Sequence, residues 1–132
     1  MEINNVTKYL IDHGVRPSYQ RVKVFEYLIK RKNHPTVYMI YKALVKKIPS
    51  LSKSTVYNTL NLFVKKKIVI VITIEDNETR YDADTSIHGH FKCEKCGKIF
   101  DFEVNLSSLN TNSLRNIEIN EHHIYFKGIC HH

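Results

Sequence analysis

The chain has 132 residues, 42% of them hydrophobic and 25% charged, a size that allows one ordinary domain or two small ones and excludes a large multidomain enzyme. Its longest apolar run, Ile68 to Ile72 with Ile74 just beyond, falls far short of the roughly 20 residues that cross a bilayer. No charged-then-apolar leader precedes it, so a cytoplasmic protein outside the membrane is expected. The formal charge of +7 is unevenly spread: residues 1–80 hold 15 basic and 6 acidic side chains, net +9, whereas residues 81–132 hold 5 and 7, net −2. A basic N-terminal part suited to a polyanion is joined to a mildly acidic part with another task.

Ile3, Val6, Tyr9 and Leu10 recur at helical spacing and stop at Asp12-His13-Gly14, predicting a first helix. A second is expected after Pro17 with Ser18 as its N-cap. Its apolar stripe is Val22, Phe25, Leu28 and Ile29, and it runs out in Lys30-Arg31-Lys32 before Asn33-His34-Pro35. Thr36 caps a third, in which Val37, Ile40, Tyr41, Leu44 and Ile48 recur until Pro49-Ser50. Ser52 caps a fourth, with Val56, Leu60 and Phe63 turned inward. Its opposite face presents Ser54, Tyr57, Asn58, Asn61 and Lys65, groups of the lengths that reach base edges and phosphates. The period then shortens: Ile68 to Ile74 is a β-branched run, Glu75-Asp76-Asn77-Glu78 a polar turn and Thr79-Arg80-Tyr81 a returning strand. Helices ending in a short, polar-faced one and followed by a hairpin describe a winged helix-turn-helix, whose last helix enters the major groove.

Beyond Asp82, Phe91 to Cys93 and Lys98 to Val104 read as short strands around Glu94-Lys95-Cys96-Gly97, Leu106 to Leu114 as a helix, and Ile117 to Cys130 as one or two strands. The fold class is α+β: an N-terminal winged helix plus a small C-terminal α+β domain. That second domain is too thin to hide both faces of its sheet, so pairing with a second copy is expected. All three cysteines and six of the eight histidines lie here. An odd cysteine count with a C-x-x-C pair and no sign of export favours metal over disulfide. Cys93 and Cys96, followed by Gly97, form half of a closed, structural zinc site. A second C-x-x-C opening at Cys130 would close just past His132, which leaves three readings: a fourth ligand at that position, His131 or His132 in its place, or a weakened or empty site. His88 and His90 alternate along an extended strand and point the same way. With the carboxylates of Asp82 and Asp101 they make a nitrogen and oxygen set that suits Fe(II) or Mn(II) as well as zinc. His34, at the turn before the third helix, is a candidate from the other domain.

Gly14-Val-Arg16-Pro-Ser-Tyr-Gln20-Arg21, His34-Pro35-Thr36, Ser54-Thr55-Val56-Tyr57-Asn58-Thr-Leu60, Arg80-Tyr81-Asp82, His88-Gly-His90 and Cys93-Glu-Lys-Cys96-Gly97-Lys98 follow one another in an order and spacing that resemble the ferric uptake regulator (Fur) family. The resemblance covers nearly the whole chain. It implies a homodimeric, metal-dependent, DNA-binding transcriptional repressor rather than an enzyme. The winged helix would span residues 1–80, a hinge 81–86 and a metal-binding dimerisation domain 87–132. Carried over by position, the regulatory metal site would be His34, Asp82, His88, His90 and Asp101, and the structural zinc would use Cys93, Cys96 and Cys130. Asp101 and the Tyr57-Asn58 pair favour the family's peroxide-responsive (PerR) branch, which implies that peroxide acts on bound Fe(II) and oxidises a histidine, here His34 or His88. Ile87 before His88 departs from the longer histidine-rich stretch of iron-responsive members, and Gly89 stands in place of a possible acidic ligand, which argues against an additional site at His122. On a palindromic operator, Tyr57 and Asn58 are expected near bases and Arg21, Lys53, Ser54 and Lys65 near phosphates, with affinity falling steeply in salt.

Iron or zinc sensing within the same family is the near alternative. A small metallohydrolase would need a general base or nucleophile, and every carboxylate near the cluster is itself a candidate ligand. A zinc-ribbon adaptor for protein would leave the +9 half unexplained.

Overall fold

Four α-helices open the chain, and each begins where a short polar side chain accepts a backbone N–H that the helix leaves over. In the computed structural model, which describes residues 5–31, 34–73, 78–86 and 88–131, they are α1 (Val6–Asp12), α2 (Tyr19–Lys30), α3 (Val37–Leu44) and α4 (Lys53–Lys65). Ser18, Thr36 and Ser52 cap α2, α3 and α4 as predicted, and Asn5 caps α1. The expectations that fall on Ile3, Lys32, Asn33, Ile74, Glu75, Asp76, Asn77, Ile87 and His132 lie outside the described residues.

Helix ends follow equally local causes. After α1, the Val15 N–H reaches the Leu10 carbonyl (2.8 Å) and that of Gly14, at φ +79°, reaches Ile11 (3.0 Å), a Schellman turn. α4 ends the same way, Ile68 bonding Phe63 and Lys67 bonding Val64, but Lys67 holds the left-handed position (φ +63°) that glycine would take without strain. α3 stops at Leu44, a turn short of its predicted end. Pro49 disfavours a helical Ile48, and the chain tightens into a turn with Lys47 N–H on the Leu44 carbonyl at 3.0 Å.

The two strands β1 (Ile70–Ile72) and β2 (Arg80–Asp82) follow, antiparallel with Val71 opposite Tyr81. Four helices and this hairpin make the expected winged helix. Its core gathers Leu10, Val24, Phe25, Ile40, Val56, Leu60 and Phe63, all completely buried, with Tyr81 packed onto them from the wing. Phe25 and Phe63 meet edge to face at 5.5 Å.

The remaining strands are β3 (His88–Cys93), β4 (Ile99–Glu103) and β5 (Tyr125–Gly128), in the order β4-β3-β5, β3 being antiparallel to β4 and parallel to β5. The helix predicted over Leu106 to Leu114 is instead two single 3-10 turns, Leu106–Ser108 and Asn112–Leu114. Asn105, Ser108 and Asn110 spend their side chains on nearby backbone groups, offering the chain an alternative to helical bonding. Of the strands predicted over Ile117 to Cys130, only β5 forms. The architecture is α+β, and the chain divides into two compact units, Met1–Thr85 and Ser86–His132. Among the described residues no helix is long and apolar enough to cross a membrane.

Candidate metal centres and nucleic-acid face

The end of β3 delivers Cys93 into a tight turn. Gly97, at φ +79°, gives its N–H to the Cys93 carbonyl (2.9 Å), and the Cys93 N–H returns to the Lys98 carbonyl (2.9 Å). β5 runs alongside, and its end is tied to the turn by the Glu94 N–H on the Gly128 carbonyl at 2.8 Å, which brings Cys130 in. Cys93 Sγ accepts the N–H groups of Cys130 and Cys96, each at 3.3 Å, and the sulfurs of Cys96 and Cys130 are 3.5 Å apart. None of the three cysteines is in a disulfide, and their sulfurs lie within 4.8 Å of one another. The Cys130 N–H, then the Cys96 N–H, lower the Cys93 thiol to about 6. Preformed thiolate character in a converging sulfur set fits zinc. His131 is exposed and is not part of this cluster, and the expectation for His132 lies outside the described residues.

The nitrogen and oxygen donors form one group in each unit. In the winged-helix unit, His34 Nε2 lies 3.4 Å from Asp82 Oδ2. His34 has a positive φ of 52°, uncommon outside glycine, and β2 holds it there. Arg80 donates to its carbonyl at 3.0 Å, and the Tyr81 N–H bonds the next carbonyl, that of Pro35. Asp82 Oδ1 in turn accepts the Asp84 N–H at 2.9 Å, so the carboxylate is oriented by its own loop. In the sheet unit, His88 and His90 share one face of β3 with ring centroids 4.5 Å apart. Asp101, opposite His90 on β4, reaches both: 3.4 Å from His90 Nε2 and 3.9 Å from His88 Nε2. His88 Nδ1 is 2.8 Å from the Ser86 carbonyl, so that nitrogen carries the proton and Nε2 keeps the lone pair a metal needs.

The outer face of α4 is as predicted, with Lys53, Ser54, Tyr57, Asn58, Asn61 and Lys65 all exposed. Tyr57 projects with 52% of its surface free. Burial and, second, the adjacent Tyr57 raise the Tyr81 phenol above its ordinary range. Arg21 is half-buried and donates to the Arg16 carbonyl at 2.8 Å, which stiffens the link from α1 to α2. Arg21 and Asn58 line one polar cleft of about 430 Å³ with Arg16, Ser18 and Thr55.

Sequence reasoning missed three supporting parts. Arg80 was part of a noted motif, yet its grip on the His34 carbonyl depends on contact between residues 46 apart. Ser86 acts through its backbone, which carries no residue-specific signal. Gly89 read as the loss of a ligand, whereas a Cβ there would stand 2.2 Å from the Phe102 ring across the β3–β4 ladder.

Known proteins resemble this chain in sequence and in fold. Residues 12–127 match the ferric uptake regulator family. The chain is 36% identical over 135 residues to the peroxide operon regulator of Bacillus subtilis (strain 168), covering 98% of this chain and 91% of that one. It is similar to the solved structure of PerR from Streptococcus pyogenes, a peroxide-sensing gene regulator, with 30% identity and a TM-score of 0.56 over 96% of this chain and 89% of that one. It shares the fold of the Vibrio cholerae ferric uptake regulator, with a TM-score of 0.77 at 24% identity over 96% and 100% of the two chains. The chain belongs to the ferric uptake regulator family.

Proposed function

We propose that the protein is a metal-dependent transcriptional repressor, not an enzyme, which binds double-stranded DNA as a homodimer in the cytoplasm and senses peroxide through oxidation of a histidine at an Fe(II) or Mn(II) site. The observation that carries this reading is the division of one donor chemistry between two units: His34 beside Asp82, and His88 and His90 beside Asp101. Neither group fills an octahedral ion alone. Together, His34, Asp82, His88, His90 and Asp101 would hold it through three imidazoles and two carboxylates, leaving one position for an exchangeable ligand. Cys93, Cys96 and Cys130 would hold a structural zinc, which closes the end of the sheet.

Residues 1–80 act as the DNA-binding domain, 81–86 as the hinge and 87–132 as the dimerisation domain. An ion held by both donor groups would tie the winged helices to the dimerisation domain at the separation of a palindromic operator, which would couple metal affinity to DNA affinity. Tyr57 and Asn58 read base edges while Arg21, Lys53, Ser54 and Lys65 hold phosphates. What Fe(II) supplies when bound there is the one-electron reduction of peroxide, which generates an oxidant beside the imidazoles. His88 keeps its Nε2 lone pair only while its ring is intact and its Nδ1–H donates to the Ser86 carbonyl. In net balance, peroxide acts as a two-electron oxidant: one of its oxygens replaces a ring hydrogen of His88 or His34 and the other leaves as water, so the altered ring no longer supplies its donor and the winged helix is released. The B. subtilis and S. pyogenes relatives, both regulators named for peroxide, support this choice of signal.

Two measurements test the reading. Gel retardation of the protein's own promoter region is expected with Mn(II) or Fe(II) and not after chelation; absence of retardation at low salt rules out the repressor. Mass spectrometry after peroxide is expected to find one added oxygen on His34 or His88 in the Fe(II) protein and none in the Mn(II) protein. An Fe(II) sample without that adduct rules out peroxide sensing by histidine oxidation.

A further inference from the structure

The helix-turn-helix lacks internal counter-charge. Residues 27–74 hold ten Lys and Arg and no Asp or Glu, so neither α3 nor α4 offers a carboxylate to its own lysines. Against the resulting repulsion, the fold gathers two of the ammonium groups about one phenol ring. Lys53 Nζ, from the first residue of α4, lies 5.1 Å from the centroid of Tyr38 and 5.7 Å from that of Tyr41. Lys42 Nζ, from the last turn of α3, lies 6.0 Å from the same Tyr38 ring. Tyr38 is 54% exposed and so contributes little to the core; what it does is present a negative ring face to cations from both helices.

We propose that Tyr38, Lys42 and Lys53 form a clamp for a backbone phosphate of DNA, with Tyr38 as the positioning residue that holds the two ammonium groups ready. The inference rests on the DNA-binding reading above and adds Tyr38 and Lys42 to it. Two features favour a phosphate as occupant. Two like charges held on one ring are relieved by an anion between them, and each ammonium has three donors for charge-assisted bonds to phosphate oxygens. Lys53 is also the first residue of the helix whose exposed residues include Ser54, Tyr57 and Asn58, so a duplex lying on that helix brings its backbone past Lys53. Because the ring, not the hydroxyl, attracts the cations, phenylalanine should serve in its place, whereas leucine fills the volume without the ring face.

The test is the salt dependence of binding by the full-length, metal-loaded protein to a duplex of unrelated sequence, read by fluorescence anisotropy, with thermal melting to confirm that each variant is folded. Lys42→Ala and Lys53→Ala are each expected to reduce the slope of log affinity against log salt by about 1. Tyr38→Leu is expected to weaken binding about two- to fivefold at low salt, and Tyr38→Phe to bind as the wild type does. Unchanged slopes in both lysine variants, with wild-type DNA binding intact, overturn the clamp alone. A Tyr38→Phe variant as weak as Tyr38→Leu overturns the positioning role of the ring. Failure of the wild type to bind any duplex at low salt overturns the DNA-binding reading together with the clamp.

Discussion

A cysteine thiol ordinarily loses its proton near pH 8.5, yet Cys93 does so at about 6, because the N–H groups of Cys130 and Cys96 point at its sulfur. The folded pKa is depressed, so the stabilisation this thiolate gives the metal-free, reduced protein is complete above the ordinary thiol pKa and is lost as pH falls through about 6. Thermal melting of that protein is expected to show a midpoint that declines over this range, and Cys93→Ser is expected to remove the decline; a flat profile in the parent protein would contradict the preformed thiolate. The pattern C-x-x-C was enough to name this residue, but not to say that Cys93, at the end of β3, rather than Cys96 receives both backbone donors. His34 is the converse case. Its place before a capped helix was legible, while its left-handed backbone and its bond from Arg80 depend on a strand that arrives 46 residues later.

Elements were read correctly where their causes are local. Ser18, Thr36 and Ser52 each accept the N–H three residues on, and the apolar stripes of α2 and α4 face the core. Failures fell where side chains compete with the backbone, as in the Asn- and Ser-rich stretch from Asn105 to Asn112. Strand pairing also decides residue choice. Phe102 lies over Gly89 and is stacked at 5.2 Å on Phe126, so making room for a Cβ disturbs that stack. Gly89→Ala is therefore expected to destabilise the sheet unit by about 1–3 kcal/mol, a value typical of overpacking, and to weaken Mn(II) affinity by displacing His88 and His90 on either side. Equilibrium denaturation with and without Mn(II) measures both effects, and an alanine variant with parental stability would show that Phe102 moves freely.

At the scale of the whole molecule, the two units are stabilised differently. The continuous hydrophobic core runs from Leu10 to Ala83, within the winged-helix unit. In the sheet unit, Leu109, Ile117, Ile119, Phe126 and Ile129 remain exposed among the described residues. A surface this apolar is what a second copy would cover, and the proposed dimer accounts for it. Ile117→Asp combined with Ile119→Asp is expected to shift sedimentation from the mass of two chains to that of one and to weaken binding to a two-half-site duplex at least tenfold, since one half-site contact then stands alone. A variant that remains two-chain would place the interface elsewhere.

What the sequence determined by itself were the features whose physics is local: helix caps, 3.6-residue stripes, the zinc knuckle spacing, the alternation that puts His88 and His90 on one face, and the charge of +9 on the first 80 residues. What only the tertiary structure decided were the features that need distant chain segments to meet. Those are the Arg80 grip on His34, the Cys130 N–H on the Cys93 sulfur, Phe102 over Gly89, and the arrival of Lys53 from α4 on the Tyr38 ring of α3. The division is physical: caps and periodicities are set within a few residues of chain, whereas a strained φ, a shifted pKa or a held cation exists only once a remote partner has been packed against it.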